Sequence, residues 1–150
     1  MEKLLLLLIH LMVAGSTIAQ ELYQNGSWEI VFDTLNVGEK EAWFLHENFP
    51  KEGVQMIEVP SSWEEYVKGY EGVAWYRKTF SVSKAHKGKV ASLYFGAVNY
   101  VAEVYLNEVP IGYHTGGYAP FECRVEDLLT YDTDNVLRLR VVRPINTQDS

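Results

Sequence analysis

The acidic side chains are the residues of this chain with the widest chemical reach. Three places bring them forward: Glu64-Glu65, Asn107-Glu108 and Glu126-Asp127. Two carboxyl groups about 5 to 5.5 Å apart, one a nucleophile and the other an acid and then a base, would split a glycosidic bond with retention. Adjacent residues of an extended segment project to opposite faces, so Glu64 and Glu65 are not expected to flank one bond. Glu126-Asp127 reads as a charge pair at the start of a helical turn, where the exposed amide groups favour anions. Both pairs are expected on the solvated surface. No residue is assigned a catalytic role, and no substrate-binding residue is assigned.

His46, His86 and His114 lack the close spacing of a metal-binding pair, so no metal site is expected. No nucleophile elbow or phosphate loop is present, and no cofactor is implied. Cys123 is the single cysteine, which excludes an internal disulfide. It alternates with Phe121 and Val125 and is expected as a small buried apolar residue, not a reactive thiol. Aromatic residues are the remaining hint of binding, because sugar rings can lie against them. Trp63, Tyr70, Tyr113 and Tyr118 fall in loops or strand ends, with packing weighed ahead of direct sugar contact. Trp75, Tyr76, Tyr94 and Tyr105 sit inside strands, where aromatics pack well. Asn25-Gly26-Ser27 has the form of a glycosylation sequon.

Elements must position these groups, and the chain opens with one of a different kind. Met1 to Ala19 combines an early Lys3, an apolar run from Leu4 to Val13 and small residues ending in Thr17-Ile18-Ala19. That is the pattern of a signal peptide cleaved after Ala19, and it predicts export to the periplasm or the extracellular space. A membrane anchor would need about 20 apolar residues, and this run, interrupted by His10, is shorter. Its loss would remove one Lys and one Glu and leave the net charge at −7. An acidic surface repels phosphate backbones, so nucleic acid is not an expected partner.

From residue 20 onward the period is two and the spacing short, with no helical repeat. Trp28 to Phe32 predicts a first strand, and Met56 to Val59 a short one stopped by Pro60. Ala42, Trp43, Phe44 and Leu45 fit neither period, so Glu39 to Asn48 is expected as a helical turn or an ordered loop. Val73 to Val82 separates Ala74, Tyr76, Phe80 and Val82 from Trp75, Arg77, Thr79 and Ser81. Lys89 to Phe95 and Tyr100 to Leu106 follow, the latter with Glu103 facing outward, and Glu108 to Tyr113 pairs back as a hairpin. Tyr118 to Val125, a turn at Glu126 to Leu129, and Asn135 to Val142 complete the pattern. About seven or eight strands with tight loops predict an all-β sandwich of jelly-roll or related topology. The chain stops soon after its best strand with nothing to cover the sheet edge, so truncation at the carboxyl end is expected.

Several motifs occur in one order: Val59-Pro-Ser-Ser-Trp63, Tyr70-Glu-Gly72, Trp75-Tyr76-Arg77-Lys78 leading to Phe80, and Leu93-Tyr-Phe-Gly-Ala-Val98. Ala102-Glu-Val-Tyr-Leu-Asn107, Gly112-Tyr-His114 and Gly117-Tyr-Ala-Pro-Phe121 follow. From about Trp28 to Val142 the chain resembles the amino-terminal jelly-roll, or sugar-binding, domain of family 2 glycoside hydrolases, the β-galactosidase, β-glucuronidase and β-mannosidase group. It departs at Asn107-Glu108, where the family usually has Asn-Gly. Glu at positive φ costs roughly a kcal/mol or more, which predicts a longer or different turn.

The resemblance implies a non-catalytic, galactose-binding-domain-like sandwich at 20–150 in an exported retaining β-glycosidase. Its partners would be a downstream immunoglobulin-like domain, a catalytic barrel of the same parent chain, and a carbohydrate substrate. The family's acid/base glutamate also follows an asparagine, but on a barrel strand; Glu108 sits in a hairpin of the wrong domain and is not expected to be catalytic. The alternatives are a free-standing carbohydrate-binding module and an exported structural or adhesion module.

Overall fold

Alternating side chains produce two antiparallel sheets stacked over one apolar layer. The computed structural model describes residues 9–14, 19–98, 100–116 and 119–144. Among these, the strands in chain order are β1 (Ile9–Ala14), β2 (Ala19–Tyr23), β3 (Gly26–Asp33), β4 (Gln55–Val59) and β5 (Gly72–Ser81). They continue as β6 (Val90–Phe95), β7 (Val101–Leu106), β8 (Val109–Thr115), β9 (Phe121–Arg124) and β10 (Asp134–Arg143). A four-stranded sheet runs β2-β1-β6-β9 and a six-stranded sheet runs β4-β3-β5-β10-β7-β8. The all-β sandwich expected from the periodicity is the fold. The eight strands from β3 to β10 coincide closely with the predicted segments.

The inner layer follows from period two. Leu137, Leu139 and Val141 of β10 and Ala102, Val104 and Leu106 of β7 are fully buried, as are Leu11, Leu93 and Phe95 from the opposite sheet. Ala74, Tyr76, Phe80 and Val82 join this core, which is the face expected for them. Cys123 lies in it too, and burial pushes its thiol up to about 11, so it is inert at neutral pH. Trp63, expected in a loop, is also in this core at 3 % exposure.

Four local results differ from the expectation or refine it. Glu64 and Glu65 lie in a single 3-10 turn, Trp63–Glu65, capped by the Ser62 hydroxyl accepting from the Glu64 N–H at 3.3 Å, and not in an extended segment. The turn folds Trp63 inward against Phe32 and Tyr70. The 34–54 segment is an ordered loop laid across the outside of the six-stranded sheet, and its Trp43, Phe44 and Phe49 form a second apolar cluster there. The β7–β8 hairpin keeps a two-residue turn, with Leu106 opposite Val109 and φ of 48° at Asn107 and 71° at Glu108. Both turn residues are left-handed, as the strand twist demands, and the irregularity falls between Val104 and Tyr105 instead. Finally, Ile9–Ala14, within the stretch read as a leader, forms the strand between β2 and β6, with Leu11 and Val13 buried.

Candidate functional site

The outward face of the six-stranded sheet carries charged residues at alternate positions, and the 34–54 loop closes over them. Asp33, at the end of β3, starts that loop: its carboxylate accepts from the Val37 and Gly38 amides at 2.8 Å each and from Trp75 Nε1 at 3.3 Å. Gly38 packs so tightly that a Cβ there would meet Trp75 Nε1 at 2.4 Å and Trp43 at 2.7 Å. The loop is thereby fixed on Trp75, which is fully buried. Tyr105 stacks between Phe44 and Trp75, with centroid separations of 4.9 and 5.9 Å. Burial, with Glu103 adding to it, pushes its hydroxyl up to about 12.

Three arginines line the space beneath the loop. Arg77 grips Glu29 with two nitrogens, the second at 2.8 Å, and its guanidinium lies 4.2 Å from the Phe49 ring centre. That hydrogen-bonded pairing, against the opposing effect of burial, holds the Glu29 carboxyl below its ordinary value. Arg140 donates to Glu103 at 3.0 Å and to Asn36 at 3.1 Å, so Glu103 faces outward as expected but is engaged under the loop. Arg138 differs from both in having no carboxylate partner among the described residues. It is only 1 % exposed, its guanidinium stands 5.6 Å from the Phe49 centre, and its Nε and Nη2 have no partner among the described residues. A buried unmet donor costs about 1–3 kcal/mol, more when charged. Burial, and then Arg77, lower its pKa.

An open pocket of about 250 Å³ lies beside Arg138, lined also by His46, Asn107, Glu108 and Val136. The Asn107 amide is spent on the fold: it donates to Leu128 O and Asn135 Oδ1 and accepts from the Val136 N–H, all within 3.0 Å. This ties the hairpin turn to the start of β10. Glu108 reaches the other way, its carboxylate accepting the backbone N–H of His46. A strained residue thus joins the turn to the loop, the kind of place where backbone strain accompanies function.

The remaining candidates are dispersed. Glu64 pairs with Arg143, and Glu126 with Arg124, on separate surfaces. His114 stacks on Phe121 at 4.5 Å, and His86 belongs to a 3-10 turn far along the chain from His46. No group of three metal-binding side chains occurs among the described residues. Trp63 and Tyr70 pack against Phe32, in line with the weight given to packing. Tyr113 is 65 % exposed. Tyr118 lies outside the described residues. Tyr76 is buried in the inner core, where burial raises its pKa. The buried arginine row escaped the sequence reading; its one visible signal was the aromatic-rich 39–48 stretch that fits no period.

Residues 63–150 match the family described as glycosyl hydrolase 2 galactose-binding domain-like. A β-galactosidase of Bacteroides ovatus is 44% identical over 70 residues, 47% of this chain and 8% of that protein. A β-glucuronidase of Paenibacillus borealis is 28% identical over 142 residues, covering 85% of this chain and 23% of that protein. The solved β-glucuronidase of Lactobacillus rhamnosus superposes with a TM-score of 0.73 at 28% identity, over 81% of this chain and 21% of that one. The chain therefore spans less than a quarter of the length of each of these relatives. No helix among the described residues is long and apolar enough to cross a membrane.

Proposed function

Because the chain belongs to the glycosyl hydrolase 2 galactose-binding domain-like family, we propose that it is the non-catalytic amino-terminal domain of an exported retaining β-glycosidase of β-galactosidase or β-glucuronidase type. Its role is to support a catalytic barrel of the same parent protein and to form part of the surface that meets carbohydrate. One observation carries the reading: Glu64, Glu108 and Glu126 each take a different partner from the domain itself. Glu64 pairs with Arg143, Glu126 with Arg124, and Glu108 accepts from the loop at His46. Retention needs a nucleophile and an acid facing each other across about 5 to 5.5 Å, and these groups lie on different elements with different partners.

The direct test incubates the purified chain with nitrophenyl β-galactosides, β-glucuronides and β-mannosides. No nitrophenol release is expected, and turnover that survives further purification would overturn the non-catalytic role. Export rests on the leader-like Met1–Ala19 stretch, and cleavage there would take β1 out of its sheet. Amino-terminal sequencing of secreted material should then begin at Gln20; a secreted product beginning at Met1 would end that part of the reading.

A further inference from the structure

We propose that the groove between the β5–β6 connection and the β9–β10 connection is a docking site for a short, extended, acidic segment of a partner protein, with one apolar side chain among its carboxylates. The proposal stands apart from the glycosidase reading and does not depend on it.

The groove is formed before anything enters it. Asp132 ties its two walls: the carboxylate accepts from the Lys84 N–H and the Asp132 amide donates to the Val82 carbonyl, at 2.9 Å each. One wall is a 3-10 turn, Lys84–His86, capped by the Ser83 hydroxyl, which accepts from the Ala85 N–H at 3.2 Å. The other is braced by the Leu129 N–H on the Val125 carbonyl at 3.1 Å and the Thr130 N–H on Asn135 Oδ1 at 2.8 Å. Walls held in this way lose little freedom on binding. The open space between them is about 650 Å³, and a smaller one of about 270 Å³ shares Gly88, Glu126 and Tyr131 with it. Ligand pockets run from about 300 to 1,000 Å³, so the room suits a few residues of peptide.

Charge and apolarity together select the occupant. Lys84, Lys87 and Lys89 line the groove, all three are exposed, and none is in an ion pair among the described residues. The acids of the same walls are already engaged. Glu126 pairs with Arg124, Asp127 lies within the field of that arginine, and Asp132 serves the Lys84 amide. The unspent capacity is therefore cationic, in a chain whose net charge is −7. Neighbouring ammonium groups repel one another, and carboxylates placed between them relieve that repulsion. Val90, 47% exposed, adds apolar lining together with Tyr131 and Leu129, which an aliphatic side chain of the partner would cover. A nucleic acid strand would run past the three lysines onto the acidic remainder of the surface, which favours a short peptide over a polyphosphate.

The test titrates the ¹⁵N-labelled full chain with the acetylated pentapeptide Glu-Glu-Leu-Glu-Glu, and with two counterparts that carry Ser for Leu or Lys for every Glu. Saturable shifts are expected at the amides of residues 84–90 and 126–132. Binding should weaken roughly fivefold or more between about 0.05 and 0.5 M salt. The serine peptide should bind roughly threefold or more weakly, and the lysine peptide should not bind. Replacing the cations together, by Lys84→Gln, Lys87→Gln and Lys89→Gln, should weaken binding roughly tenfold or more. That variant should melt like the parent, because all three side chains are exposed. Any of these results overturns the site: no saturable shift at those amides in folded protein, equal binding by the triple variant, binding indifferent to salt, or equal binding of either counterpart peptide. Tighter binding of a thymidine oligonucleotide than of the acidic peptide does so as well. The hydrolysis assay tests the non-catalytic domain role separately.

Discussion

Toward the four-stranded sheet, β10 presents Leu137, Leu139 and Val141; toward the 34–54 loop the same strand presents Arg138 and Arg140. The first face is held by close packing, which is non-directional and grows with the apolar area removed from water. The second is held by hydrogen bonds and stacked rings, each with a required direction. The contrast teaches where unmet polar capacity can remain inside a domain. Close packing leaves no directional group unmet, whereas the layer of oriented donors leaves Arg138 Nε, Arg138 Nη2 and Arg140 Nε without a partner among the described residues.

Substitutions on the two faces should therefore fail in different ways. The largest effect is expected on the inside: Leu139→Ala removes a fully buried side chain at a cost of about 2–5 kcal/mol, read as a lower urea midpoint for the whole domain. Gly38→Ala comes next, at about 3 kcal/mol, because the new methyl strikes Trp75 and Trp43. Hydrogen exchange should show amides 36–49 opening while those of β7 and β10 stay protected, and simultaneous loss of both would erase the distinction between the layers. Asn107→Ala should cost about 2 kcal/mol by stranding the Val136 N–H and the Leu128 carbonyl.

The smallest effect concerns pH. The Glu29 carboxyl titrates lower in the folded chain than its ordinary 4.5, so its contribution is complete above pH 4.5 and is lost as the pH falls through the folded value. Glu29→Gln should cost about 1 kcal/mol or less near neutrality, and the gap between the two proteins should close in acid. A gap that persists unchanged to low pH would remove the Arg77 pairing from the account of the outer layer.

The inner layer was legible in the sequence because alternation is a property of single strands: Leu137, Leu139 and Val141 announce their face without knowledge of any neighbour. The outer layer was not. Arg138 and Arg140 occupy positions that alternation assigns to water, and only a loop from elsewhere in the chain, packed by Trp43 and Phe49, converts them to interior residues and half-covers Glu103. Trp63 looks like a loop aromatic in the sequence because a three-residue helical turn leaves no periodic trace. Asn107-Glu108 was legible as a turn, and its strain was foreseen, but the contact to His46 that accompanies the strain joins residues 62 positions apart and has no local signal. The leader-like stretch is ambiguous for a related reason: an apolar run answers equally to a signal-binding groove and to a slot in a sheet.

That slot bears on the leader reading of the first residues. With β1 paired on both sides, Ala19 lies opposite Ala14 and Gln20 opposite Val13, so the peptide bond at the expected cut is held in a ladder of its own backbone. A processing enzyme needs that bond free and extended. If the first residues serve as a leader, their processing becomes a race in time, won only where they are captured before the sandwich closes over them.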